Sequence, residues 1–154
     1  MIRAIKSDII KRIHAKATAT AATVPAAPGA YLILIALHEP ISLPLPTLRL
    51  PSLPAGYYLY AGSARGPGGL RARIARHLRR DKKLHWHVDH LTNAATSLFA
   101  FPIPDGRECA LVQALVQSDN YHPPLPGFGS SDCKNCISHL LAARPVTEGE
   151  TQCR

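Results

Sequence analysis

The sequence predicts a single domain of the α+β class, and three observations lead to that prediction. A continuous apolar run from Tyr31 to Leu37 is typical of a central strand. The segment from Gly56 to Gly62 has the composition of a second strand, and the simplest arrangement pairs it antiparallel with the first. Residues 69–80 then repeat apolar side chains at helical spacing. With 154 residues, the chain has room for one core.

The domain proper is expected to span residues 29–143. Residues 1–28 are expected to form a separate basic arm, in which isoleucines recur at helical spacing from Ile2 to Ile13 between lysines and arginines. This arm is expected to contact nucleic acid or nothing at all, and it also weakly resembles an organellar transit peptide. Residues 144–154 are expected to be a disordered tail.

A proline-rich insert separates the two predicted strands. Five prolines lie from His38 to Pro54, and they are spaced too closely for a helix. The insert is therefore predicted to be an extended excursion, with an edge strand whose leucines lie on the sheet. Those leucines are Leu43, Leu45, Leu48 and Leu50.

The second half of the domain is predicted to hold two more helices and a third strand. Residues 84–93 and 107–118 place apolar side chains at helical spacing, as residues 69–80 do. Residues 96–101 form the third strand candidate, which prolines end. Residues 121–132 are rich in Pro, Gly and Ser and are predicted to be a loop.

Composition predicts a protein of a reducing compartment that does not span a membrane. The chain is 46% hydrophobic and 18% charged, and no apolar run approaches the length of a membrane-spanning helix. Four cysteines without an apolar signal segment favour free thiols or metal ligands over disulfides. They are Cys109, Cys133, Cys136 and Cys153. A cytoplasmic location, in a bacterial cytosol or nucleoid, is expected.

The positive charge is concentrated in one stretch. The net charge is +8, and eight basic residues between positions 65 and 83 are accompanied by a single acid, Asp81. This distribution predicts a polyanion partner, and a solvated helix that only keeps the protein soluble is the alternative. The basic residues are Arg65, Arg71, Arg73, Arg76, Arg79, Arg80, Lys82 and Lys83.

Five side chains could together hydrolyse a phosphodiester. That reaction needs a proton acceptor, and it needs positive charge to offset the phosphoryl oxygens. Tyr31 and Tyr60 lie toward related ends of adjacent strands, Arg73 and His77 face the same way on one helix, and Glu108 lies on the apolar stripe of another. The alternatives are two strand tyrosines, a surface arginine and a glutamate that reaches water from a helix N-terminus.

A second cluster has the spacing of a zinc site. Cys133, Cys136 and His139 form a C-x-x-C-x-x-H pattern, for which His122 or Cys109 could supply the fourth ligand. Reduced thiols without a metal are the alternative interpretation.

Several strings of the sequence resemble one known family. Gly29-Ala30-Tyr31 and Tyr60-Ala61-Gly62 resemble the paired GIY and YIG elements of the GIY-YIG nuclease superfamily, and Leu70 to His77 resembles the helix that follows them. The strings GYYLYAGSA, WHVDHL and GFGSSDCKNC are similar to a small branch of that superfamily, which in archaea also occurs fused to endonuclease III. The resemblance covers residues 29–143.

The resemblance implies a three-stranded antiparallel sheet flanked by helices, with one active site on its face. Tyr31 and Tyr60 would match the tyrosines of the two elements, Arg73 the catalytic arginine, and His77 the histidine one turn later. Glu108 would match the single carboxylate that binds Mg²⁺ or Mn²⁺. His87 would be a further polar residue near the site. The proline-rich insert would loop out from the strand pair.

These inferences together predict a metal-dependent endonuclease that hydrolyses phosphodiester bonds in DNA. It is expected to be structure-selective and to serve repair or recombination. A noncatalytic adaptor that binds nucleic acid on the same scaffold is the alternative, and a zinc-stabilised interaction module is a third. The residues expected to contact nucleic acid are Arg65, Arg71, Arg76, Arg80, Lys82, Lys83 and His87.

Overall fold

A computed structural model describes residues 24–45, 52–130 and 133–144. The predictions for the arm up to residue 23, for the tail from residue 145, and for Leu48 and Leu50 of the insert lie outside these residues. Residues 24–28, at the end of the predicted arm, pack with the domain. Val24 is buried, and the carbonyl of Ala27 accepts a hydrogen bond from the backbone N–H of Leu70 at 2.9 Å.

The main sheet has five antiparallel strands in the order β5-β1-β4-β7-β6. Strand β1 (Gly29–Leu37) pairs along its whole length with β4 (Gly56–Ala64), and β5 (Ser97–Pro104) covers its other edge. Beyond β4 lie β7 (Leu140–Ala143) and the short β6 (Tyr121–His122). The α+β class and the antiparallel pairing are confirmed.

The sheet contains two more strands than the three expected. Strand β7 forms because Leu140 and Leu141 point to opposite faces of the sheet and both are buried, at 0% and 1% exposure. Strand β6 is only two residues long and lies in a stretch whose prolines and glycines predict a loop. Strands of two and four residues are too short to show a periodicity that distinguishes a strand from irregular chain.

The three helices are α1 (Gly69–Leu78), α2 (His87–Ala94) and α3 (Glu108–Gln117). Helix α1 begins at two glycines with positive φ, a conformation that L side chains rarely adopt: Gly68 is its N-cap and Gly69 its first residue. Helix α2 begins three residues later than its predicted start at residue 84, because backbone N–H groups at residues 85 and 86 donate to the Asp89 carboxylate instead.

The proline-rich insert forms its own small sheet. Strand β2 (Ile41–Ser42) pairs only with β3 (Ser52–Leu53) among the described residues, so the expected edge strand of the main sheet is not formed there. Proline has no N–H to donate to the hydrogen-bond ladder between two strands, which explains why these pairs are so short. Leu43 and Leu53 are nevertheless buried against the core.

Two apolar clusters lie on opposite faces of the main sheet. Tyr31, Ile33 and Ile35 point to the face covered by α1 and α2, whereas Leu32 and Leu59 point to the face covered by α3. Among the described residues, no helix has both the length and the apolar character required to cross a bilayer.

Candidate active site

A polar cleft of about 320 Å³ lies where the start of β1, the end of β4 and the start of α3 meet. Four of the five predicted catalytic side chains line it, although 77 positions of sequence separate the first from the last. The lining comprises Tyr31, Tyr60, Arg73 and Glu108 together with Ser63, His85, Trp86, His87, Gly129, Cys133 and His139.

Tyr31 is held in one orientation by its strand neighbour and by a histidine. It pairs across the sheet with Gly62, where an added Cβ would overlap the Tyr31 ring. Gly62 is therefore a close-approach glycine, and its missing side chain is the space that the phenol occupies. The hydroxyl of Tyr31 lies 2.7 Å from Nε2 of His77.

His77 lies behind Tyr31 and is outside the lining of the cleft. Its side chain is fully buried on α1, and burial lowers its pKa to about 3, so the imidazole is neutral near neutral pH. Nδ1 faces Oδ1 of Asp89 at 4.0 Å. A proton on Nδ1 is favoured beside that carboxylate, which leaves Nε2 to accept the hydroxyl hydrogen of Tyr31.

The burial of His77 predicts a specific acid sensitivity. Between about pH 6.5, the ordinary pKa, and about pH 3, the unfolded chain binds a proton that the folded ring does not. The free energy of unfolding should therefore fall as pH is lowered through this window. His77→Gln should flatten that slope in urea titrations between pH 6.5 and pH 4, and the exposed His38→Gln should leave it unchanged. Equal slopes in all three proteins would contradict the prediction.

Asp89 is a buried residue behind the cleft that the sequence did not single out. It is fully buried and accepts two hydrogen bonds from Arg76, at 2.9 Å and 2.8 Å. It also accepts the backbone N–H groups of His85 and Trp86. Burial raises the pKa of this carboxyl, but the bonds from Arg76 and the backbone outweigh that effect and lower the pKa to about 2. In WHVDHL, an acid three positions after a tryptophan gives no sequence signal of burial.

Trp86 is the second residue that was missed. Its ring lies 4.5 Å from the guanidinium carbon of Arg73 and 4.1 Å from that of Arg76. The π-electrons of the indole attract both cations, and Asp89 also holds Arg76. Trp86 therefore orients Arg73, which lines the cleft.

Both cleft tyrosines are protonated phenols near neutral pH. Burial is the main cause that raises the pKa of Tyr31 and of Tyr60 above the ordinary value, and the nearby Glu108 raises both further. Arg73 acts in the opposite direction on each of them. The Tyr31 hydroxyl therefore donates to His77 as a neutral phenol, because burial disfavours both the phenolate and the imidazolium.

The residues predicted to contact nucleic acid occupy different positions. The Arg76 guanidinium donates to the Asp89 carboxylate. Lys82 donates to the backbone carbonyls of His77 and Arg79 and to the side chain of Asn93. Burial lowers the pKa of Lys82. His87 lines the cleft, and its Nδ1 accepts the backbone N–H of Gly129. The exposed members of the predicted set are Arg65, Arg71, Arg80 and Lys83, of which Arg65, Arg71 and Arg80 donate to backbone carbonyls.

Beside the cleft lies a Cys₃His cluster that could hold a metal ion. One ligand atom from each of Cys109, Cys133, Cys136 and His139 lies within 4.8 Å of every other. Of the two fourth ligands left open by the sequence, the structure places Cys109 in the cluster. Cys109 belongs to the first turn of α3, and the other three lie in the segment that leads into β7.

The segment before β7 is held by a few backbone hydrogen bonds. The N–H of Gly127 donates to Ile137, and the N–H of His139 donates to Phe128. At Cys133, the backbone N–H of Asn135 is the main cause that lowers the thiol pKa, to about 6. The three described cysteines are free thiols.

Glu108 borders both the cleft and the cluster. Its side chain is 30% exposed, and its Oε2 lies 3.7 Å from Nδ1 of His139. It is the only carboxylate in the lining of the described cleft, and one carboxylate that opens to solvent suits Mg²⁺, which keeps most of its waters. The thiolates of the cluster are a soft donor set that suits zinc instead.

A family model described as a domain of unknown function, DUF123, matches residues 30–154, which is most of the chain. No curated protein and no solved structure matches the chain.

Proposed function

We propose that this protein, which belongs to the family described as domain of unknown function DUF123, is a metal-dependent endonuclease that hydrolyses phosphodiester bonds in DNA. The observation that carries the proposal is the cleft itself. Two phenols, a guanidinium and a carboxylate from four separate elements line one cavity. The resemblance of the strand and helix motifs to GIY-YIG nucleases supports the same chemistry.

Arg73 and the start of α1 are suited to bind the phosphate. The Arg73 guanidinium lines the cleft and can donate to two phosphoryl oxygens. Gly66 and Gly68 are exposed in the turn before α1, so a backbone phosphate can approach them closely. Both features place positive charge where negative charge develops during hydrolysis.

The hydrogen bond between Tyr31 and His77 orients the phenol toward the attacking water. The Tyr31 hydroxyl donates to Nε2 of the neutral His77, so the lone pairs of its oxygen can accept a hydrogen bond from that water. Burial disfavours an imidazolium at His77, so the proton of the water would leave to solvent at the open side of the cleft. Tyr60, a protonated phenol in the same cleft, can donate a proton to the leaving oxygen.

Glu108 would hold Mg²⁺ or Mn²⁺ at the open side of the cleft. A bound divalent cation supplies charge to offset the phosphoryl oxygens and lowers the pKa of water. Glu108 is suited to that task because part of its carboxylate is exposed and the described cleft offers the ion no other carboxylate. We further propose that the enzyme selects branched or nicked structures in repair or recombination.

The direct test is incubation with branched, nicked, single-stranded and duplex DNA. Cleavage in the presence of Mg²⁺ or Mn²⁺, and its loss when EDTA is added, is the expected result. Binding of the same substrates with no cutting in either metal would favour the noncatalytic adaptor. Absence of both binding and cutting would leave the zinc-stabilised interaction module.

A further inference from the structure

We propose that Cys109, Cys133, Cys136 and His139 bind one Zn²⁺ ion, and that His139 links this ion to Glu108 and so fixes the acid of the cleft. The proposed zinc site depends only on the geometry and chemistry of the four-residue cluster. The second part, the positioning of Glu108, rests on the proposed function.

The spacing of the four donors fits a single tetrahedral ion. A zinc centre with bonds of about 2.0–2.3 Å places its ligand atoms roughly 3.5–3.8 Å apart. In the described structure the four donor atoms lie within 4.8 Å of one another, and the sulfurs of Cys109 and Cys133 are 3.4 Å apart. The side chains therefore need to move by only fractions of an ångström to close around the ion.

The donor chemistry selects zinc over the harder cations. Three thiols that can deprotonate and one imidazole form the Cys₃His set of closed structural sites, whereas Mg²⁺ prefers oxygen ligands. The protein thus has two separate places for metal, a soft one at the cluster and a hard one at Glu108.

The two ring nitrogens of His139 are suited to different partners, one to the Glu108 carboxylate and the other to the zinc ion. Its Nδ1 faces the Glu108 carboxylate at 3.7 Å, and its Nε2 is buried with no hydrogen-bond partner among the described residues. A buried polar atom without a partner is costly, and a metal at Nε2 would remove that cost. The Glu108–His139–zinc order is the arrangement in which a carboxylate orients a metal-bound histidine.

The zinc would connect two walls of the cleft. Cys109 adjoins Glu108 at the start of α3, whereas Cys133 and His139 belong to the segment before β7 and line the cleft themselves. That segment has few backbone hydrogen bonds of its own. An ion shared by both parts would hold Glu108 at a fixed distance from Tyr60, which the same segment contacts through Gly129.

Metal content of the protein purified under reducing conditions is the first test. We expect one zinc per chain, and a cobalt-substituted form with the visible and thiolate charge-transfer bands of a tetrahedral site. Cys109→Ser and Cys136→Ser should lose both signals. His122→Ala is the matched control, because His122 is the alternative ligand that the structure leaves outside the cluster. Its zinc content should equal that of the wild type.

Three outcomes would overturn the zinc site. The first is a wild-type protein that takes up neither zinc nor cobalt. The second is a His122→Ala protein that loses the metal while Cys109→Ser keeps it. The third is a Cys109–Cys133 disulfide, found by mass spectrometry of protein kept under reductant. Because the wild type is measured directly, a variant that fails to fold does not decide the result.

The link to Glu108 has its own readout. Glu108→Gln should weaken cobalt and zinc affinity by about 10-fold to 100-fold, the usual effect of removing a carboxylate that orients a ligating histidine. Glu39→Gln, an exposed acid away from the cluster, should leave affinity unchanged. Equal affinity in both variants would refute the link. Zinc bound without DNA cleavage would refute the nuclease alone, and cleavage without zinc would refute the zinc site alone.

Discussion

Arg73→Ala and Glu108→Gln should each lose metal-dependent DNA cleavage while the protein remains folded. Arg73 is the guanidinium of the cleft, and removal of one group that stabilises developing charge typically lowers kcat by about 100-fold to 1,000-fold. Glu108 is the only carboxylate lining the described cleft, and its neutral amide cannot hold a divalent cation as tightly. Both side chains are partly exposed, so the free energy of unfolding should change little.

The measurement is single-turnover cleavage of the best substrate from the DNA panel, with circular dichroism to confirm folding. Arg79→Ala is the matched control for the arginine, since Arg79 is exposed one residue after α1 and does not line the cleft. Glu39→Gln is the control for the acid. Wild-type cleavage by Arg73→Ala and Glu108→Gln would discard the assignment of the active site.

Asp89→Ala should destabilise the protein by about 2–3 kcal/mol, because it removes the buried partner of an ion pair whose Arg76 side chain is 21% exposed. The carboxylate is fully buried and takes four hydrogen bonds, two from Arg76 and one each from the backbone of His85 and Trp86. Its loss leaves Arg76 and two backbone donors without their acceptor. Urea unfolding measures the effect, and the exposed Asp81→Ala should cost little by comparison.

The pH dependence of the same group gives an independent check. Folding lowers the pKa of Asp89 from 3.8 to about 2, so its stabilising contribution is complete above pH 3.8 and is lost as pH falls toward 2. The difference in unfolding free energy between wild type and Asp89→Ala should therefore shrink across that window. A difference that stays constant from pH 6 to pH 2 would show that the carboxylate is not held as an ion pair.

The elements with strong periodicity could be predicted from the sequence. The strand from Tyr31 to Leu37, its antiparallel partner and the helix from residue 69 follow from apolar spacing and from the glycines that end them. The family resemblance was also needed to predict that four side chains from different elements meet, namely Tyr31, Tyr60, Arg73 and Glu108. Spacing within one helix or strand does not indicate which elements lie together.

The rest depended on contacts between distant parts of the chain. Asp89 is a charged residue of a type that usually faces solvent on a helix, and its burial is favourable because Arg76 of α1 and the backbone N–H groups of His85 and Trp86 donate to it. The fourth donor of the cluster, Cys109, is 24 positions from Cys133, so the sequence could not choose between it and His122. Strands β6 and β7 were too short to leave a pattern.

The attachment point of the proline-rich insert determines what can be altered without affecting the cleft. The β1–β4 hairpin ends at the pair Leu37 and Gly56, and Tyr31 lies six residues further along β1, roughly 20 Å away at the rise of an extended strand. The insert leaves from the end of the hairpin opposite the cleft. A spectroscopic label or an affinity handle attached at the exposed Ser42 or Ser52 would therefore join the protein beyond the far end of the hairpin, on strands that do not line the cleft.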